Sequence, residues 1–263
     1  MKRPNLSALS AAAAVAFTGM TANADPAPSR TGHVHSYILL DRTGSMQSIW
    51  EETLSSVNAY AGGLAKTTPD QSVRADITLA VFDAQEGLQF DVIRKATPAG
   101  DWRKVTDDDA TPRGMTPLYD AIGRLVALAE EDAPERAVVV IMTDGEENAS
   151  REVTRDGARA ALDRIRARGW EVVFLGADFT NFGDAVGVGQ TTSRNMGVKK
   201  GQMRETMERL SEKSRAWAAG EAPSVEWTPE DRAIAGEAEA GQDKSAPRTS
   251  PQTGRRPPTG SNP

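Results

Sequence analysis

The sequence predicts a doubly wound α/β fold: a mostly parallel central sheet with one antiparallel edge strand and helices on both faces. Three observations predict it. Segments of strand and helix character alternate over about 190 residues. The runs AVVVIM (137–142) and VVFLG (172–176) are apolar without interruption, as strands buried on both faces are. One segment, GLQFDVIRK (87–95), is half polar in its alternation and reads as a strand at a sheet edge.

Taken in order, HVHSYILLD (33–41) is an apolar run ending at polar residues, the pattern of a first strand. The stretch 49–66 spaces Ile49, Thr53, Val57, Tyr60 and Leu64 at helical intervals. RADITLAVFD (74–83) and the half-polar run 87–95 are separated by a few turn residues and pair as a hairpin. Residues 117–132 form an amphipathic helix with Leu118, Ile122, Leu125, Val126 and Leu128 on or near one face. RAVVVIMTD (136–144) is a buried strand, 152–169 a helix stopped by Gly169, and WEVVFLGAD (170–178) another buried strand. A short helix around 181–188, a small strand near 191–198 and a last helix from about 202 to 219 complete the series.

Hydrophobic residues make up 38% of the 263-residue chain, below the ~45–50% usual for a packed domain, so part of it is expected outside the core. Residues 1–24 supply Lys2 and Arg3, an apolar stretch from Leu6 to Met20, and Ala22 and Ala24 flanking Asn23. They read as a secretory signal cleaved before Asp25, which places the mature chain in the periplasm or outside the cell; an alanine-rich disordered extension of a cytoplasmic protein is the alternative. The stretch is too short and too weakly apolar to anchor in a membrane, and no other segment approaches a span. Residues 25–32 read as a linker and 33–219 as the folded domain. From 220 to 263 scattered acids give way to a basic, proline-rich end, which reads as a disordered tail or a short basic docking peptide.

The net charge of −6 leaves no overall basic field for a phosphate backbone, which excludes a dedicated nucleic-acid binder. The absence of cysteine excludes disulfides, iron–sulfur clusters, thiolate zinc sites and cysteine nucleophiles, and two histidines cannot build a His-rich metal cage.

In a doubly wound sheet, ligands bind beyond the carboxyl ends of the strands, where strand order switches. Three polar clusters fall at such junctions. Asp41-Arg42-Thr43-Gly44-Ser45 follows the strand ending ILL, and its carboxylate and two hydroxyls sit at i, i+2 and i+4, able to point to one side of an extended loop. Gly114-Met115-Thr116-Pro117 brings a third hydroxyl to a helix start, and Thr143-Asp144-Gly145 places a second carboxylate at the end of AVVVIM. Two carboxylates and three hydroxyls make an all-oxygen set suited to a hard divalent cation with room for waters. Each cluster alone also reads as helix capping, and Thr116 before Pro117 has the form of an N-cap followed by a first-turn proline.

The motifs DRTGSM, GMTPLYDAIG and TDGEEN, in this order and at these separations, resemble the three parts of the metal-ion-dependent adhesion site of von Willebrand factor type A domains. The resemblance covers about 33 to 217 and includes the order of strands and helices. The family's first motif is Asp-x-Ser-x-Ser; here Thr43 stands at the first serine and keeps the hydroxyl. The resemblance implies that Thr43, Ser45 and, in some states, Thr116 contact Mg²⁺ or Mn²⁺ directly, with Asp41 and Asp144 acting mainly through coordinated waters. It further implies a non-catalytic domain, in which a Glu or Asp of a protein partner completes the octahedron. The preference among Mg²⁺, Mn²⁺ and Ca²⁺ stays open.

Other candidates are weaker. His33 and His35 lie at the start of the first strand, away from the oxygen cluster, and read as structural or exposed. Asp107, Asp108 and Asp109 read as a solvated loop, and Glu146 and Glu147 as rim charges. Trp50, one turn into the first helix, is either core or a partner-facing anchor. The competing function is a metal-dependent phosphohydrolase-like enzyme with Asp41 as nucleophile. Such enzymes want a second carboxylate two residues on, where this chain has Thr43, and no Gly-rich phosphate loop occurs.

Overall fold

The structure, a computed structural model, describes residues 30–67, 71–144, 146–177, 188–189 and 192–237. Six strands, β1 (Arg30–Asp41), β2 (Gln71–Ala84), β3 (Leu88–Pro98), β4 (Ala137–Thr143), β5 (Glu171–Ala177) and β6 (Asn195–Val198), form one sheet in the order β3-β2-β1-β4-β5-β6. Every pairing is parallel except β2–β3, so β3 is the antiparallel edge strand its half-polar sequence predicts. The helices are α1 (Trp50–Leu64), α2 (Leu118–Asp132), α3 (Arg155–Ala167), α4 (Met203–Ala218) and α5 (Pro229–Ala235).

The alternation along β1 divides the core. Val34, Ile38 and Leu40 face α1 and α4, while Tyr37 and Leu39 face α2 and α3. β4 and β5 are apolar on both faces because both faces are covered, with Val138, Val140 and Met142 on one side and Val139 and Ile141 on the other. α1 and α4 approach closely at Gly63, where a Cβ would come within 2.0 Å of Ser211 Oγ. Trp50 is core: its ring is buried and its Nε1 donates to the Ala110 carbonyl at 3.1 Å, so the partner-facing alternative is not realised.

β1 stands between β2 and β4, so the strand order reverses there. The register sets Leu40 beside Met142 on β4, and Asp41 follows beside Thr143. Asp41 and Asp144 therefore leave neighbouring strands at the switch point.

Part of the segment predicted as a disordered tail, up to residue 237, is folded. Val225, Trp227 and Ala235 are buried, and α5 starts with Pro229 behind a capping box in which Thr228 Oγ1 accepts from Asp231 N and the Asp231 carboxylate accepts from Thr228 N. The segment also closes the β6 edge, since Glu237 accepts from Gly197 N and Ala235 O accepts from Lys199 N. Packed chain thus includes residues 225–237, because a few apolar anchors amid the acids offset the entropy of ordering them. Residues 1–29, the helix expected around 181–188 apart from Val188, and residues 238–263 lie outside the described residues.

Candidate metal centre

Asp41 ends β1 fully buried, and both its oxygens are engaged: Oδ1 accepts from Thr43 N at 2.7 Å and Oδ2 from Thr143 Oγ1 at 2.6 Å. These donors are neutral. Burial pushes the Asp41 carboxyl up to about 6, with the neighbouring Asp144 charge adding to the rise and the hydrogen bonds from Thr143 and Thr43 opposing it. Thr43 Oγ1 lies 3.2 Å from Ser45 Oγ and accepts from Thr116 Oγ1 at 3.3 Å, while Ser45 Oγ donates to Asp144 Oδ1 at 2.7 Å. All five sequence-predicted residues thus belong to one hydrogen-bonded cluster, and Thr143 joins them through Asp41.

The donor set fits a hard divalent cation. An octahedral Mg²⁺ with oxygens at about 2.0–2.1 Å has neighbouring ligand oxygens about 2.9 Å apart, near the 3.2 and 3.3 Å that separate Thr43 Oγ1 from Ser45 Oγ and from Thr116 Oγ1. The extra methyl of Thr43 is accommodated with the residue buried. No group of three His, Asp or Glu side chains arranged to hold an ion occurs among the described residues; an ion at this cluster would take most of its ligands from hydroxyls. Met115, beside Thr116, is 54% exposed on its rim.

Thr116 does not cap α2. Its side chain turns to Thr43, its backbone N–H donates to Asn148 Oδ1 at 2.9 Å, and Pro117 holds the cap position without a side-chain bond. The first turn of α2 is capped from the loop after β4: Glu147 accepts from Tyr119 N at 3.0 Å and Ser150 Oγ from Asp120 N at 3.1 Å. Glu147 also accepts from Ala149 N, Ser150 N and Ser150 Oγ, so it is a structural hub and not a rim charge. In return the buried Asp120 accepts from the amides of Arg151, Glu152 and Val153. Sequence reasoning missed Asp120, Asn148 and Thr143. The only available signal was their position inside or beside the motifs already singled out.

The remaining candidates stay apart from this cluster. His33 is exposed beside Asp76, His35 is buried midway along β1, and Asp109 closes its own turn by accepting from Thr106 N and pairs with Arg94.

No known family's sequence profile matches the chain, and no curated protein matches it. Solved structures do. The vWF domain of the type V pili tip protein Mfa5 from Porphyromonas gingivalis matches with a TM-score of 0.54 at 11% identity, covering 72% of this chain and 97% of that one. The pilus adhesin SpaC from Lactobacillus rhamnosus GG, in its open conformation, gives 0.56 at 11% identity and covers 71% of this chain and 30% of that one. Proximal thread matrix protein 1 from the mussel byssus gives 0.47 at 14% identity, covering 73% and 47%. The match therefore spans less than half the length of the adhesin and of the mussel protein. Strand order and the switch-point cluster make the chain a doubly wound α/β protein. Within that class its fold is the von Willebrand factor type A fold.

Proposed function

We propose that this chain is a non-catalytic protein-interaction domain of the adhesion type, whose contact with its partner runs through a divalent cation, Mg²⁺ or Mn²⁺. Thr43, Ser45 and Thr116 would hold the ion with their hydroxyls, and Asp41 and Asp144 would balance its charge. The observation that carries the reading is the convergence of these oxygens at the sheet's switch point around a buried carboxylate engaged only by neutral donors. When bound, the ion supplies a Lewis-acid position that a Glu or Asp of the partner completes. Neutral hydroxyls leave its charge available to that carboxylate. The fold shared with a pilus adhesin and a pili tip domain agrees with an adhesion role. A periplasmic or secreted location, which rests on reading residues 1–24 as an export signal, belongs to the same proposal.

The phosphohydrolase reading is disfavoured by one observation: Asp41 is fully buried with both oxygens occupied, which is poor presentation for a nucleophile. The test is thermal unfolding with millimolar Mg²⁺ or Mn²⁺ against chelator. Binding only to the folded state adds RT ln(1 + [L]/Kd) to stability, so the midpoint should rise with ion concentration. Superimposed melts would overturn the metal reading. A chelator-resistant partner complex would overturn the bridging carboxylate.

A further inference from the structure

Beside the oxygen cluster lies a second charged group that touches none of its ligands. Asp83, at the end of β2, is fully buried. Its Oδ1 accepts from Arg42 Nε at 2.8 Å and its Oδ2 from Arg113 Nε at 3.1 Å. Arg42 is the residue between Asp41 and Thr43, and its guanidinium also reaches Asp91 on β3. Arg113 precedes the turn that carries Thr116. One carboxylate thus divides its two oxygens between the two loops whose hydroxyls meet at Thr43 and Thr116.

The backbone follows the same path. Arg113 N donates to Arg42 O at 2.7 Å and Gly44 N to Gly114 O at 3.2 Å, while Ala84 and Met115 exchange a pair of bonds. Gly114 is at φ +71, and a Cβ there would meet Ala84 O at 2.4 Å and Asp83 Oδ2 at 3.0 Å, so only glycine lets the second loop settle against the end of β2. Burying Asp83 and the nearly buried Arg42 is costly unless each is paired and hydrogen-bonded, and here each is. Truncating Asp83 leaves the buried Arg42 with only the exposed Asp91, and truncating Arg42 leaves Asp83 with Arg113 alone, so the group resists the separation of the loops.

We propose that Asp83, with Arg42 and Arg113, is a positioning bridge that fixes the separation of the Thr43 and Thr116 hydroxyls and thereby sets cation affinity and size selectivity. This rests on the metal reading above. Outer-shell partners of metal ligands typically govern affinity by about 10–100-fold. The bridge should also discriminate against Ca²⁺, which takes longer bonds and a looser shell than Mg²⁺.

The test uses the full chain and the metals alone. Isothermal titration with Mg²⁺, Mn²⁺ and Ca²⁺ should show Asp83→Asn binding Mg²⁺ about tenfold or more weakly than wild type. Its Mg²⁺-to-Ca²⁺ affinity ratio should narrow by roughly threefold, a change that general destabilisation would not produce. Arg113→Gln, at a side chain 43% exposed, should weaken Mg²⁺ binding in the same direction while lowering the melting point in chelator only slightly, since Arg42 still pairs with Asp83, and Arg113→Lys should recover most of the loss. If Asp83→Asn fails to fold, the Arg113 pair decides. Wild-type affinity and selectivity in these variants would overturn the bridge. Should wild type bind no metal, the metal reading falls and hydrogen exchange in chelator judges the bridge: the Gly44 and Arg113 amides should exchange faster in Arg113→Gln, and unchanged protection overturns it.

Discussion

The central sheet carries a polar cluster at each end, and the two are built on opposite principles. On the amino side of the sheet, from the middle of β1 and β2 to the end of α2, groups of complementary character are closed in pairs: His33 with Asp76 at 2.8 Å, His35 with Thr78 at 2.8 Å, and Tyr37 with Asp132 at 3.1 Å, while Lys95 stands 3.6 Å from Asp132. At the carboxyl ends, Asp41 and Asp144 add charge of one sign, and the hydroxyls between them bond one another. A buried polar cluster is therefore not in itself a site, since satisfied groups are what native interiors normally contain. What distinguishes the oxygen cluster from these pairs, and from the Asp83–Arg42–Arg113 group beside it, is like charge gathered around convergent oxygens, an arrangement a cation would relieve.

The largest expected effect breaks that contrast at its centre. Asp41→Ala should abolish the metal-dependent rise in melting temperature while circular dichroism reports an intact fold, because the runs that build the core are untouched. In chelator the variant should lose little, and the raised Asp41 pKa gives the reason. A carboxyl at about 6 in the folded chain, against ~3.9 when exposed, opposes folding above pH 6, and removing it offsets the two hydrogen bonds lost. An undiminished Mg²⁺ shift in folded Asp41→Ala would place the ion elsewhere.

A smaller effect sharpens the contrast within the carboxyl end itself, where Glu147 looks like part of the site but serves a helix. Glu147→Ala removes the acceptor for Tyr119, Ala149 and Ser150 amides. The expected cost is roughly 1–3 kcal/mol in urea unfolding, in the range of a lost cap and charge-assisted bonds. Metal affinity should fall far less than in Asp41→Ala. A loss of metal binding without a loss of stability would make Glu147 a ligand after all.

How much of this was legible follows from where each signal resides in the chain. AVVVIM and VVFLG announce doubly covered strands because burial on both faces leaves no polar position to write. The cluster was legible because Asp41, Thr43 and Ser45 occupy one contiguous loop, and the strand-end positions of Thr116 and Asp144 bring them to the same edge. Asp83, Glu147 and Asp120 were not legible, since each finds partners 28 to 41 residues away and a lone acid in a loop carries no mark of its partner. The same limit explains Thr116, whose Thr-Pro sequence is correct for a cap while the hydroxyl is drawn to Thr43 across 73 residues. It also explains Trp227, one aromatic amid acids, which with Val225 and Ala235 holds this segment on the domain.

The smallest effect tests the closed end. His35 is buried with its ring stacked on Tyr37 at 4.1 Å between centroids, Nε2 bonded to Thr78 Oγ1 and Nδ1 3.3 Å from the Tyr37 hydroxyl. Burial holds its pKa below the usual histidine value; Asp76 and Asp132 raise it, and His33 and Lys95 lower it further. The unfolded chain then takes up a proton near the ordinary histidine pKa of ~6.5 that the folded chain refuses. Stability is lost as pH falls through that value and below. Asp41 works in the opposite sense, gaining stability as pH falls through about 6, so the wild-type profile in chelator is a difference of two terms. His35→Gln removes one of them and should decline less than wild type between pH 7.5 and 5 in urea midpoints measured at each pH. Parallel profiles for the two proteins would show that His35 titrates alike in the folded and unfolded chains, and that the closed end stores no proton-linked stability.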